Sequence, residues 1–193
     1  MIILASTSPR RKQLLEWAEI PFEVVTYPTD EVVPENVPLT EVPVHIAREK
    51  ALAVKTKVDE LVSRKRLPAN LPVLAADTIV LLNNEILGKP DNRGHAIEML
   101  SKLQGKSHQV VTGVVLLDGE REVAFSDISD VEFHPLTEDQ ITFYVDKYKP
   151  YDKAGAYAIQ EWIGVVGIKA VKGDFYNVMG LPVSRVVQAI ENW

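Results

Sequence analysis

The residues best suited to chemistry in this 193-residue chain stand near its start, in the run Ser6-Thr7-Ser8-Pro9-Arg10-Arg11. The apolar Ile2-Ile3-Leu4-Ala5 before it reads as a buried strand. The run itself opens a helix, with Ser8 at the N-cap and Pro9 at the first helical position, where a missing N–H costs nothing. A helix N-terminus offers unpaired N–H groups and about half a positive charge, hydroxyls add donors, and guanidinium forks match phosphate oxygens. These are the parts of a phosphate site. The plainer reading is a Ser8 cap on a solvated first turn. Basic residues there oppose the helix dipole, however, so Arg10, Arg11 and Lys12 together are locally unfavourable.

Asp77, in Leu74-Ala75-Ala76-Asp77-Thr78-Ile79-Val80, is the second signal. A carboxylate inside an apolar strand costs desolvation free energy unless it is partnered, and such groups recur at metal and general-base sites as well as in buried structural contacts. Lys50 and Lys89 could add positive charge, although a lysine is usually solvated surface. The segment Asp152-Lys153-Ala154-Gly155-Ala156-Tyr157-Ala158-Ile159-Gln160 is rich in small residues that permit close backbone approach, and it ends in an amide that both donates and accepts. It could read a base or sugar edge, or be an ordinary tight loop. The acidic pair Asp30-Glu31 could supply a metal ligand. His45, His95, His108 and His134 are scattered without metal-ligand spacing and read as structural or surface residues.

Missing motifs narrow the chemistry. The chain has no Gly-x-x-x-x-Gly-Lys-Ser/Thr loop, no Gly-x-Gly-x-x-Gly, no Gly-x-Ser-x-Gly and no His-Glu-x-x-His, so kinase, dehydrogenase, serine esterase and zincin readings lack support. A phosphate site with carboxylates suits metal-assisted phosphoanhydride hydrolysis. With no cysteine, thiolate chemistry and disulfides are excluded, which is compatible with a reducing compartment; the first residues show no signal-peptide pattern, so the cytoplasm is the default expectation. The 21 basic and 27 acidic residues give a net charge of −6 and disfavour broad binding to nucleic acid or acidic membranes. The longest stretch without Asp, Glu, Lys or Arg, Ser107 to Leu117, is far shorter than the roughly 20 apolar residues that span a bilayer.

The elements that must hold these residues can be read from pattern. Beyond the first strand and helix, Phe22 to Thr26 reads as a strand and the proline-containing, acidic Tyr27 to Thr40 as a surface loop. Ala47, Ala51, Val54 and Val58 recur at helical spacing after Thr40, which places Lys50 on a long amphipathic helix. The charged Asp59 to Pro72 is the end of that helix plus a connection, or a variable loop. Val73 to Leu82 reads as a central strand carrying Asp77. The turn Gly88-Lys89-Pro90 precedes a helix over Asn92 to Leu103 that Gly105 stops. Gln109 to Leu117 and Val123 to Phe133 flank a hairpin turn, and Thr137 to Gln140 fits a capping box for a helix to about Tyr148. A strand around Gly164 to Val171 and a helix from Pro182 to Asn192 complete the expectation. Strands and helices interleave with a hairpin, so the class is α/β or α+β with a mixed sheet.

Several of these blocks, in order, closely resemble the Maf family of nucleoside triphosphate pyrophosphatases. They are Leu4 to Arg11, Ala76-Asp77-Thr78, Ile86-Leu87-Gly88-Lys89-Pro90, Val111-Thr112-Gly113-Val114, Asp152 to Gln160, and Gly173-Asp174-Phe175-Tyr176-Asn177-Val178-Met179-Gly180-Leu181-Pro182. The resemblance implies one domain over 1–193 with a fold like that of inosine triphosphate pyrophosphatases. That fold is an elongated mixed β-sheet flanked by helices, with two lobes around one nucleotide cleft. It also implies release of pyrophosphate with a divalent metal cation, Mg²⁺ or Mn²⁺.

Carried onto this sequence, Asp77 matches the proton acceptor, Ser8, Arg11, Lys50 and Lys89 match phosphate-contacting positions, and Glu31, with Asp77, matches an acidic position near the metal. Arg10, Thr78 and Gln160 match the positions that separate the branches. Arg, Thr and Gln belong to the branch acting on dTTP and UTP, whereas the 7-methyl-GTP branch carries an aromatic or other residue, Gln and Glu. The family is also linked to arrest of cell division and septum formation, which leaves a nucleotide-binding regulator with little turnover as the alternative. The resemblance and the exposed apolar residues are compatible with a homodimer.

Overall fold

A computed structural model describes residues 1–30, 32–63, 67–68 and 70–193. Its helices and strands come in the order β1 (Ile2–Leu4), α1 (Pro9–Trp17), β2 (Phe22–Val24), α2 (Val42–Ser63), β3 (Val73–Leu82), β4 (Glu85–Leu87), α3 (Arg93–Leu103), β5 (Ser107–Asp118), β6 (Arg121–Phe133), α4 (Glu138–Tyr148), a 3₁₀ turn (Ala154–Ala156), α5 (Trp162–Gly167), β7 (Ile168–Lys172), α6 (Phe175–Met179) and α7 (Val183–Glu191). The strands run β2-β1-β3-β5-β6-β7 across one sheet, with β4 paired to β3. Both neighbours of β1 are parallel to it, while β3–β4 and β6–β7 are antiparallel, so the sheet is mixed as expected. No helix among the described residues is long and apolar enough to cross a membrane.

Contacts divide the chain into two compact units. The first comprises Met1–Asp77, Thr112–Asp127 and Gly180–Trp193. Its core is the stripe Val44, Ala47, Ala51, Val54 and Val58 of α2, set against Ile3, Ala5, Val73, Ala75, Val115 and Leu117. The stripe repeats at helical spacing because only one face of α2 is covered. Gly113 explains how close α2 lies to β5, since a Cβ there would come within 2.1 Å of the Val44 nitrogen and 2.2 Å of the Pro43 carbonyl carbon. The C-terminal helix α7 is held by Arg185, which stacks 4.2 Å over the Phe125 ring and donates to Ser126 O and Asp127.

The second unit comprises Thr78–Val111 and Ile128–Met179. Its core joins Ala96, Met99, Leu100 and Leu103 of α3 to Ile141, Tyr144 and Val145 of α4, with Val80, Leu82, Val131 and Phe133 from the strands. Both helices start as their sequences require. Asn92 accepts from the His95 N–H at 3.0 Å, and Thr137 and Gln140 close a reciprocal capping box.

One expected element is corrected. Gly164 to Val171 reads as a strand, yet Trp162–Gly167 is helix α5 and only Ile168–Lys172 forms β7. The Gly164 N–H donates to Glu161 O at 2.9 Å, and a Cβ on Gly164 would stand 1.7 Å from Ile159 O. That close local turn outweighs the β-propensity of Val165 and Val166. The segment Asp59 to Pro72 is helical through Ser63, and residues 64–66 and 69 lie outside the described residues.

Of the scattered histidines, His108 is a core residue. It packs on Phe133, its Nε2 lies 2.7 Å from the Tyr157 hydroxyl, and Nδ1 has no partner among the described residues. Desolvation lowers its pKa from 6.5 to about 4. The unfolded chain therefore takes up this proton at higher pH than the folded one. The resulting stability is fully present above about 6.5 and is lost as pH falls toward 4. Denaturant titrations from pH 7 to 4 should show the wild type losing about 3 kcal/mol more than His108→Gln, which retains a polar partner for Tyr157 but does not titrate. Equal losses in the two proteins would refute this account.

Candidate active site

In the first unit, the end of β1 and the middle of β3 bring the two strongest sequence signals to the same end of a parallel pair. Leu4 is in register with Leu74, and the Ala5 N–H donates to Leu74 O at 2.8 Å. Asp77 lies about 10 Å beyond Leu74 along β3, while the chain leaves β1 through Ser6-Thr7-Ser8 into α1. The carboxyl end of parallel strands is where open α/β sheets place ligands.

Ser8 occupies the N-cap of α1, but its side chain makes no capping hydrogen bond. The plainer reading of Ser8 as a side-chain cap therefore fails. Ser6 organises the turn instead, its Oγ accepting from the Ser8 N–H at 3.2 Å and from Arg11 Nη1 at 3.3 Å. Arg11 also donates from Nε to Gly180 O at 2.8 Å. Its guanidinium is thus fixed by one edge, and Gly180, at φ +116°, supplies a carbonyl from backbone that favours glycine. No acidic residue stands in the first turn of α1 to offset Arg10, Arg11 and Lys12.

Asp77 is 9% exposed, and Lys50 Nζ meets its Oδ1 at 2.8 Å. Both side chains are largely withdrawn from water, at 16% exposure for Lys50 and 12% for Asp77. The pair belongs to α2 and β3, which pack directly through Ala47, Ala51, Val73 and Ala75. An ion pair of this kind offsets the desolvation of each partner. Thr78 is next to Asp77 on β3 and so faces the other side of the sheet.

Like Thr78, Lys89 and Gln160 lie in the second unit. Lys89 is exposed on the turn between β4 and α3, and Gln160 is exposed just ahead of α5. Their loops are joined, because the Gly155 N–H donates to Gly88 O at 3.0 Å. Gly155 has φ +66°, and a Cβ there would come within 2.9 Å of Val80 Cγ2, so the loop of small residues is a close backbone approach to β3. Glu31 lies outside the described residues. Among the described residues no group of three or more His, Asp or Glu could hold a metal ion.

Sequence reasoning did not single out Gly180 as the acceptor for Arg11, or Ser6 as the residue that holds both the turn and the arginine. Their contacts join residues 5 and 169 positions apart, of which only the short one is local enough for pattern to suggest.

The architecture is that of a known fold class. The Ham1 protein of Staphylococcus aureus superimposes with a TM-score of 0.51 over 99% of this chain and 97% of its own, at 19% identity. This is the inosine triphosphate pyrophosphatase-like mixed sheet that the sequence resemblance implies. The chain belongs to the Maf-like protein family, which matches it over residues 1–193. A relative from Cytophaga hutchinsonii named dTTP/UTP pyrophosphatase is 47% identical over 98% of this chain and 83% of its own. Another of that name, from Bacteroides thetaiotaomicron, is 48% identical over 96% of this chain and 92% of its own. A third, from Parabacteroides distasonis, is 46% identical over all of this chain and 95% of its own.

Because the Ser8 hydroxyl does not cap α1, Ser8→Ala should change the unfolding free energy by less than about 0.5 kcal/mol. Asn92→Ala, which removes a true cap from α3, should cost about 1 kcal/mol. Denaturant unfolding of the two variants checks the contrast, and an equal or larger cost for Ser8→Ala would show that its hydroxyl serves the helix.

Proposed function

We propose that this protein is a nucleoside triphosphate pyrophosphatase that hydrolyses dTTP and UTP to the monophosphate and pyrophosphate. The observation that carries the reading is the largely buried Lys50–Asp77 pair, on strand and helix packed against the element that leads into the turn holding Arg11. A carboxylate that can accept a proton stands with cations that match phosphate. The relatives named dTTP/UTP pyrophosphatase supply the substrate class.

In this reading Asp77 takes a proton from water as the water oxygen bonds to the α-phosphorus. The bond from that phosphorus to the α–β bridging oxygen breaks, and pyrophosphate leaves with the bridging oxygen. Arg11, Lys50 and Lys89 offset the charge that develops on the triphosphate, and Ser8 donates its hydroxyl to a phosphate oxygen. Lys50 moves from Asp77 toward phosphate as substrate enters. Gln160 presents a donor and an acceptor together, which suits the uracil or thymine edge, whereas a Glu there would only accept. Arg10 and Thr78 are assigned to selectivity through the family resemblance alone.

Through the family resemblance, Asp77 and Glu31 would hold a hard divalent cation, since Mg²⁺ is commonly held by one or two carboxylates together with substrate phosphates. Such an ion, when bound, neutralises phosphate charge and lowers the pKa of bound water.

Pyrophosphate release from UTP and dTTP, assayed with Mg²⁺ or Mn²⁺, should fall by about 100-fold or more in Asp77→Asn, the range that general-base catalysis contributes. Nucleotide binding without turnover in the wild type would replace the enzyme with a nucleotide-binding regulator. Undiminished turnover in Asp77→Asn would remove Asp77 as the base.

A further inference from the structure

Tyr144 is fully buried in the second unit, where its ring stacks on Tyr148 with centroids 5.0 Å apart and fills the core between α3 and α4. A phenylalanine would fill that volume equally well. The hydroxyl does something a core ring does not need. It accepts from the Ala158 N–H at 3.2 Å and donates to the Glu161 carboxylate at Oε2. These partners lie on either side of Gln160, which is itself exposed. One oxygen therefore holds the chain before and after the side chain to which base reading is assigned.

The rest of the loop is tied down as well. The second oxygen of Glu161 lies 3.5 Å from Lys153 Nζ, and that lysine, 8% exposed, bonds Asp152 at 2.8 Å. The Tyr157 hydroxyl meets His108, and Gly155 is pinned to Gly88 O. Between these anchors Gln160 is the residue left facing solvent. An amide discriminates by donor and acceptor geometry, so its selectivity requires a backbone that does not move.

We propose that Tyr144 is a positioning residue for nucleobase selection, its hydroxyl aiming Gln160 by fixing Ala158 and Glu161. This rests on the reading above that Gln160 contacts the base. It predicts that loss of the hydroxyl is felt through the base and not through the triphosphate. A purely structural role would instead lower stability and scale all substrates alike.

The test compares Tyr144→Phe with the wild type at a temperature where both are folded, measuring kcat and KM for UTP, dTTP, CTP and GTP and inhibition by inorganic tripolyphosphate. The expected result is a KM for UTP and dTTP raised about tenfold with kcat little changed, a similar loss in the UTP-to-CTP ratio of kcat/KM, and unaltered tripolyphosphate inhibition. Glu161→Gln should move the ratio the same way by a smaller factor, and it serves as the readout should Tyr144→Phe not fold. Uniform loss across the four nucleotides, or an unchanged ratio, overturns the proposal. Gln160→Ala separates the two levels. If it leaves the ratio intact, base reading by Gln160 fails and the role of Tyr144 fails with it. If it collapses the ratio while Tyr144→Phe does not, only the positioning role is lost. Adding Tyr144→Phe to Gln160→Ala should change the ratio no further, and a further drop would assign Tyr144 some other role.

Discussion

A carboxylate in the middle of an apolar strand must be compensated, and in this protein the compensation comes from α2. Lys50 can reach Asp77 at 2.8 Å only because α2 lies close against β1 and β3. That closeness depends on Ala47 and Ala51 in the helix and on the missing side chain of Gly113 beneath its first turn. Packing and electrostatics are therefore one constraint. A bulkier residue at Gly113 would lift the helix and strand the charge, at a cost well beyond ordinary overpacking. The proposed chemistry draws on the same pair, Asp77 as the proposed base and Lys50 as the proposed phosphate contact.

Much of this was legible in the residue order. The helical spacing of Ala47, Ala51, Val54 and Val58 located α2 and its buried face, the apolar run around Asp77 located β3, and Thr137 to Gln140 marked the start of α4 through local capping chemistry. Each of those signals lies within a few residues of what it specifies. Where a residue's state is decided by a distant or close-packed partner, pattern failed. Val165 and Val166 favour a strand, but the contact of Gly164 with Ile159 turns the chain into a helix. Ser8 has the composition of a cap, yet Ser6 is the residue that accepts hydrogen bonds in that turn.

The site residues divide along the same line. Asp77, Arg11 and Lys50 could be suspected from type and neighbourhood, but the residues that fix them could not. Gly180 is remote in sequence from Arg11, and the tyrosine beneath Gln160 looks like any core aromatic until its hydroxyl is traced. The side chains that would touch a ligand carry chemical signatures. Those that aim them carry only geometric ones, and geometry is what a linear pattern conveys least.

The ends of the sheet have a consequence of a different kind. Within the described residues β2 spans only Phe22–Val24, with Glu23 at its centre, and β7 places Lys169 and Lys172 along the opposite border. Short borders and charged side chains discourage another chain from adding its backbone to the ladder. Without cysteine, no disulfide can trap a chance encounter between copies. Both borders thus carry features that discourage edge-to-edge aggregation.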